Sequence, residues 1–325
     1  MNRQEFEARN REEWQSFEAD LEIAEKGKAG PGEVSLPSRF RKICYDLSLA
    51  QYRMFGHQIC DRLNGLAIRG YRLIHRKRGG FGEATVDFVL RTFPQTVRRE
   101  WRLFALVSLV FWLPFFVMWG LGEREIQWVQ AFLGAEQMAS IEQMYGKDSD
   151  TAEHLREEHG SNFMMFAFYI QNNVGIDFRI FAGGIFFGIG TLFYLLFNGL
   201  YFGAVIAYVE YVGEPELLWS FVAGHSSFEL LGFLVVGMAG LKIGLALLSP
   251  GQLSRAEALS KAGREALPLL IGGAAMTVLA AVVEGFWSAQ AVATKLKYAV
   301  GITFWLLHGF YFTSVGRGTA WSLRK

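Results

Sequence analysis

The sequence predicts an all-α, polytopic helical membrane protein with about six transmembrane crossings and a helical cytoplasmic N-terminal region. The first observation is composition: 51% of the 325 residues are hydrophobic, including 29 Phe, which is more apolar surface than a soluble core needs. The second is that the apolar residues gather in long runs after the first hundred residues. The net charge of +1 gives no indication of a nucleic-acid partner.

Residues 1–100 are predicted to form the cytoplasmic region. Residues 1–26 have apolar side chains at helical spacing, and Pro31 between two glycines ends that helix. A second amphipathic stretch follows at 38–74. No cleavable signal segment is expected, and the two cysteines are expected to stay reduced. The apolar positions of the first stretch are Phe6, Trp14, Phe17 and Leu21.

A helix crosses the hydrocarbon core with about 20 residues, because its backbone hydrogen bonds must all be made internally. The run 180–212 is too long for one ordinary span and carries the turn signal Asn198-Gly199 near its middle. We interpret it as a tight hairpin or two partly crossing helices, with a single tilted helix as the alternative. The count is then six, with 101–121 as the first transmembrane helix and 163–315 as the transmembrane core. The runs that reach spanning length alone are 101–121, 226–248, 266–284 and 297–315.

Charge distribution predicts the orientation. Lys and Arg outnumber Asp and Glu in residues 39–102, and the reverse holds in residues 122–162. By the positive-inside rule, both the N-terminal region and the tail of residues 316–325 are cytoplasmic, and 122–162 is an extracytoplasmic polar segment. That segment contains His154 and His159, whose spacing is not that of a metal site, so a solvated helix is the preferred interpretation.

An imidazole and a carboxylate, His225 and Glu229, lie four residues apart within an apolar run. This spacing places them on one helical face. The predicted topology brings them to the outer leaflet with Asp177, which opens the second span, and Glu284, which closes the fifth. Because ionised groups in hydrocarbon need partners, these four residues form a candidate intramembrane polar cluster that binds or passes a proton or cation, or anchors an extracytoplasmic ligand. The alternative is a capping and packing device at the start of the fourth helix.

Three pairs of glycines have four-residue spacing, which lets helix backbones approach closely. The pattern suits dense packing within the chain or a homodimer face, and we favour the homodimer. The pairs are Gly184 and Gly188, Gly199 and Gly203, and Gly240 and Gly244.

The polar motifs also occur in a distinctive order. The pair Asn172 and Asn173 precedes a Gly-rich span, Asn198-Gly199 follows, His-x-x-x-Glu opens the next span, and Glu-Gly-Phe closes the one after. In this order the sequence resembles the stage II sporulation protein M family of bacterial integral membrane proteins, although Gly224 and Ser226 differ from the residues usual there. The resemblance implies a scaffold in the bacterial inner membrane for partners that remodel the cell envelope. The segments that carry it are 168–206, 224–233, 238–259 and 280–288.

Two functions are therefore considered. The first is a non-enzymatic membrane scaffold or assembly subunit linked to cell-envelope or membrane remodelling, with the lipid bilayer and membrane or envelope proteins as partners. The second is an ion or small-solute channel or transporter that uses the polar cluster. It ranks second because the inner half of the membrane offers only Asn198, Lys242 and His308 as polar groups. Lys242 is expected to reach cytoplasmic water, and His308 to bond a neighbouring helix. No catalytic residue, metal, cofactor or nucleic-acid partner is predicted.

Overall fold

The computed structural model describes residues 2–25, 36–74, 81–146, 161–288 and 290–317, and these residues form helices joined by turns, with no strand among them. The predicted all-α class is therefore confirmed. The Pro31 turn, His154 and His159, and the end of the tail from residue 318 lie outside the described residues.

Met1–Phe81 form one compact unit. Its described helices are α1 (Arg3–Glu25), α2 (Leu36–Tyr52) and α3 (His57–Ile74). Their apolar faces meet in one core, in agreement with the amphipathic spacing of the sequence. The indole Nε1 of Trp14 donates a hydrogen bond of 2.9 Å to Oδ2 of Asp46, and both side chains are buried. The largest side chains of this core are Phe6, Trp14, Phe17, Leu21, Ile43 and Leu63.

Gly82–Lys325 form the second compact unit. Residues 82–100, which the sequence analysis joined to the N-terminal region, therefore pack with the helices that follow them. Its helices are α4 (Phe81–Asp87), α5 (Phe93–Arg99), α6 (Trp101–Arg124), α7 (Ile126–Leu133), α8 (Ala135–Tyr145), α9 (Asn162–Ala182), α10 (Ile189–Val212), α11 (Pro215–Ala223), α12 (Ser226–Leu248), α13 (Arg255–Val283) and α14 (Thr294–Ser314). A π-helical turn (Phe88–Thr92) separates α4 from α5, a short 3₁₀ turn (Gly183–Ile185) follows α9, and a second π-helical turn (Glu284–Ser288) extends α13.

Among the described residues, four helices are long and apolar enough to cross a membrane: α6, α10, α12, and α13 with its π-helical turn. This supports a multi-pass membrane protein. Three of the predicted spans, 101–121, 226–248 and 266–284, lie in these helices. The fourth predicted run, 297–315, lies almost entirely in α14, which is not one of the four, so these helices do not by themselves establish the predicted count of six.

The predicted reversal at Asn198-Gly199 is wrong. Both residues lie inside the continuous helix α10, and the Asn198 side-chain amide donates a hydrogen bond of 2.7 Å to the carbonyl oxygen of Tyr194. The chain reverses instead at residues 183–188, where Gly188 has a φ of +83° that L side chains rarely adopt. The Asn-Gly signal fails because the asparagine bonds within its own helix and the glycine provides space for a neighbouring one.

The paired glycines pack helices of one chain together. A Cβ atom at Gly199 would collide with the carbonyl oxygen of Phe111 on α6, and one at Gly184 would collide with that of Gly240 on α12. The turn at Gly188 lies against Gly244 in the same way. Because these faces are occupied within the chain, they are not free to form a homodimer face, and the glycine pairs lend no support to the expected homodimer.

Candidate functional site

His225 directly precedes α12, and the residue is 2% exposed. The capping interpretation expected the imidazole to cap the helix, but its side chain makes no capping hydrogen bond. Its Nδ1 lies 3.0 Å from Oγ of Ser288 in the π-helical turn after α13, and its ring packs edge-on against Phe221. These contacts fix the orientation of the ring, and Nε2 is the nitrogen that does not contact Ser288.

Two carboxylates face that nitrogen. Glu229 lies one turn into α12, and Glu284 lies at the end of α13, which packs antiparallel to α12. His225 Nε2 is 3.8 Å from Oε2 of Glu229 and 3.8 Å from Oε1 of Glu284. The three side chains are nearly fully buried, and one nitrogen or oxygen atom from each lies within 4.8 Å of the others.

The paired asparagines contribute a second layer of contacts from α9. Asn173 is buried, and its Nδ2 donates a hydrogen bond of 3.4 Å to Oε2 of Glu284. Asn172 Nδ2 in turn donates to Oδ1 of Asn173 at 2.9 Å. The second carboxylate oxygen of Glu284 is thereby held, while the first faces the imidazole. Asn198, the third predicted polar position, makes no such contact because it bonds within α10.

Asp177 lies one turn after Asn173 and is 2% exposed. Neither of its carboxylate oxygens has a hydrogen-bond partner among the described residues. The hydroxyl of Thr277 lies beside Asp177 and donates a hydrogen bond of 3.2 Å to the carbonyl oxygen of Gly273. Asp177 is close enough to Glu229 to interact with it electrostatically. The structure thus brings all four residues of the predicted cluster into one region.

The cluster borders a cavity of about 840 Å³ that is lined by residues of α6, α8, α9, α10, α11, α12 and α14. Its walls are mostly apolar with many aromatic side chains, and polar atoms come from the cluster and from a few side chains such as Arg179 and Tyr145. Burial and the negative charge of Glu284 raise the pKa of the Tyr145 phenol, so it remains protonated at neutral pH. Aromatic side chains that line the cavity include Trp112, Phe115, Tyr169, Phe202, Trp219 and Trp305.

Lys242 and His308, two polar residues outside the cluster, have partners of their own. Lys242 Nζ lies 2.8 Å from Oε1 of Glu100 and 3.0 Å from Oε2 of Glu265, so it joins α12 to α13 and to the turn between α5 and α6 instead of simply reaching into water. His308 Nδ1 lies 2.8 Å from the carbonyl oxygen of Phe304 in its own helix. The expectation of a bond from His308 to a neighbouring helix was therefore wrong.

Sequence reasoning missed Ser288 as a partner of His225. It also missed Lys297, which is largely buried and whose Nζ donates to the carbonyl oxygen of Ser288 at 2.7 Å. The serine lies four residues after Glu284, which is the same spacing that drew attention to His225 and Glu229. Applying the four-residue rule from Glu284 would have found it.

Comparison with known proteins gives two family matches. Residues 103–289, which include α9, α10, α12 and the whole polar cluster, match the family described as stage II sporulation protein M. Residues 4–76 match a family described as a domain of unknown function, DUF8413. The comparisons found no similar curated protein and no similar solved structure. Since the first match covers more than half of the chain, the protein belongs to the stage II sporulation protein M family.

Proposed function

We propose that the protein is a non-enzymatic scaffold or assembly subunit of the bacterial inner membrane, linked to remodelling of the cell envelope or membrane. In this proposal it crosses the bilayer six times, with both termini in the cytoplasm. Its partners are the lipid bilayer and membrane or envelope proteins. Membership of the stage II sporulation protein M family and the apolar helices support the membrane part of this proposal.

The direction of the helices supports six crossings. Two 21-residue helices, α9 and α14, add to the four apolar ones. Helices α9, α12 and α14 run away from the polar cluster, whereas α6, α10 and α13 run towards that end of the bundle. Six helices that alternate in this way return the chain to the side from which it started.

The observation that carries the scaffold proposal is the local pairing of polar groups outside the cluster. Asn198 and His308 bond to carbonyl oxygens of their own helices, and Lys242 is held by Glu100 and Glu265. These side chains were the candidates for extending the cluster through the inner half of the membrane. A conduction route needs groups that exchange partners as the ion moves, whereas these groups are already bonded within their own helices or held in ion pairs.

Ion and proton flux in liposomes tests the proposal. Purified full-length protein is expected to produce no flux of protons, Na⁺ or K⁺ above that of protein-free liposomes. Glu229→Gln and His225→Gln are expected to alter thermal stability or assembly state without changing flux. Glu136→Gln, which changes an exposed residue at the start of α8, is the matched control.

A second function has one observation in its favour. The cavity of about 840 Å³ beside the cluster is large enough for a small solute, which is the kind of site that a transporter requires. Flux in the wild type that disappears in Glu229→Gln but persists in Glu136→Gln would contradict the scaffold proposal and support a transporter.

A further inference from the structure

The space between His225 and its two glutamates is too wide for direct hydrogen bonds. A hydrogen bond between nitrogen and oxygen spans about 2.7–3.2 Å, whereas His225 Nε2 is 3.8 Å from each carboxylate oxygen. If Nδ1 donates to Ser288, Nε2 carries a lone pair that faces two oxygens with lone pairs of their own. If Ser288 donates instead, the proton on Nε2 still falls short of both oxygens. In either tautomer the groups converge without bonding.

The cluster also contains three buried carboxyl groups, those of Asp177, Glu229 and Glu284, beside a single imidazole. Glu229 is 91% buried, its carboxylate accepts no hydrogen bond from any described residue, and Oε2 points towards His225 Nε2. Asp177 adds a second buried carboxylate without a hydrogen-bond partner. Within the described part of the chain, no Lys or Arg forms an ion pair with these groups, and Lys297 bonds to a carbonyl oxygen. Buried carboxylates need a positive partner, so this arrangement calls for a cation.

We propose that His225 Nε2 and one carboxylate oxygen each of Glu229 and Glu284 bind a single divalent transition-metal cation, of which Zn²⁺ is the representative. Zn²⁺ binds imidazole nitrogen and carboxylate oxygen at about 2.0–2.2 Å, which places two ligands of a tetrahedral ion about 3.4 Å apart. The two distances of 3.8 Å from His225 shorten to that value with side-chain shifts of a few tenths of an ångström. The ligand oxygens of Glu229 and Glu284 lie within 4.8 Å of each other, so they approach by at most about 1.4 Å. A combination of one imidazole and two carboxylates suits Zn²⁺, Mn²⁺ and Fe²⁺.

The surrounding contacts are those of a supported metal site. Ser288 holds the second nitrogen of the His225 ring, and Asn173 holds the second oxygen of Glu284. Such outer contacts fix the tautomer and the orientation of metal ligands. All three ligand residues line the neighbouring cavity, so water or a polar group of a molecule bound there would complete the coordination. The site goes beyond the proposed scaffold function, which does not depend on it.

Metal binding by the full-length protein tests this proposal. The protein is purified in detergent without a polyhistidine tag, stripped with EDTA and titrated with Zn²⁺, and bound metal is measured by elemental analysis. We expect one Zn²⁺ per chain in the wild type and an affinity at least tenfold lower in Glu229→Gln and Glu284→Gln. Glu136→Gln is the matched control and is expected to bind like the wild type. With Co²⁺ as the probe, the visible absorption of a tetrahedral site is expected in the wild type and not in His225→Gln.

A conservative variant addresses loss of folding. Ser288→Ala keeps all three ligands and removes only the contact to His225, so we expect a folded protein with roughly tenfold lower affinity. Gel filtration and helical circular dichroism establish which variants are folded. A wild type that binds neither Zn²⁺ nor Co²⁺ nor Mn²⁺ would overturn the proposal and leave protons as the charge that the cluster holds. Equal metal binding by the wild type and by folded Glu229→Gln would also overturn it. If the ligand variants do not fold, an unchanged metal affinity in Ser288→Ala would overturn it.

Discussion

Glu25 and Arg69 show how differently ionised residues behave at the surface of the N-terminal unit and inside the bundle. The guanidinium donates two hydrogen bonds of 2.9 Å to the two oxygens of Glu25, and both side chains are partly exposed. These bonds lower the pKa of Glu25 from its ordinary value of 4.5 and raise that of Arg69. Water screens the pair, so it contributes little to stability. The buried carboxylates near His225 have no such screening and depend on a specific partner.

The surface pair predicts a weak dependence of α1 on pH. Because the folded-state pKa of Glu25 is lowered, the pair stabilises the fold above about pH 4.5 and this contribution is lost as the pH falls through the folded-state value. At pH 7, Glu25→Gln is expected to cost less than about 1 kcal/mol, and nothing at acidic pH. Hydrogen exchange of peptides from α1 in the full-length protein measures the effect. Glu12→Gln is the control, and equal effects of the two variants at both pH values would argue against the pair.

At the scale of single residues, local spacing predicts contacts within a helix better than contacts between helices. The spacing of His225 and Glu229 predicted their proximity, and alternating topology predicted that Glu284 would join them. The contacts from Ser288 and Asn173 could not be predicted in the same way, because they depend on the rotation of three helices about their axes. No metal site was predicted from the sequence for the same reason, since only two of the three proposed ligands belong to the same helix.

The element that orders the bundle is α10, whose glycines lie against α6. Gly199 faces the carbonyl oxygen of Phe111 and Gly203 that of Phe115, so the two helices run in the same direction with their backbones close together. The Asn198-Gly199 signal had predicted that the first of these glycines lies in a turn. The Asn-Gly signal is the same for a turn and for a close helix contact, and only the neighbouring helix distinguishes them.

This contact predicts opposite effects for two glycine substitutions. Gly199→Ala is expected to destabilise the protein by about 1–3 kcal/mol, because the added methyl group forces α6 and α10 apart. Gly120→Ala on α6 is expected to be neutral or stabilising by up to about 1 kcal/mol, because its Cβ meets no atom within 4 Å and alanine favours helix. Thermal unfolding in detergent compares them. Equal stability of both variants would show that the helices are not in close contact.

The whole molecule consists of two units with different solvents. The core of Met1–Phe81 is enclosed by three amphipathic helices, whereas the second unit exposes many apolar side chains along its long helices, as lipid-facing surfaces require. The separate family matches of residues 4–76 and 103–289 follow the same division. Composition was sufficient to predict a membrane protein with a helical N-terminal region. Composition could not locate the boundary at residue 81, because basic residues are frequent both before and after that position.

We therefore expect residues 1–81 to fold without the membrane unit. The fragment should be soluble and helical, and should unfold cooperatively in urea when followed by circular dichroism. Asp46→Ala should lower its unfolding free energy by roughly 1.5–3 kcal/mol, because the buried indole of Trp14 loses an ionised hydrogen-bond acceptor. Arg53→Ala, which changes an exposed residue, is the control. A fragment without a cooperative transition would contradict independent folding.

The packing of the turn at residues 183–188 also sets an order of events during synthesis. Gly184 and Gly188 lie against Gly240 and Gly244, which leave the ribosome more than fifty residues later. The turn between α9 and α10 is therefore synthesised before the helix that packs against it. A nascent chain that ends before α12 lacks these contacts, and the synthesis of α12 supplies them.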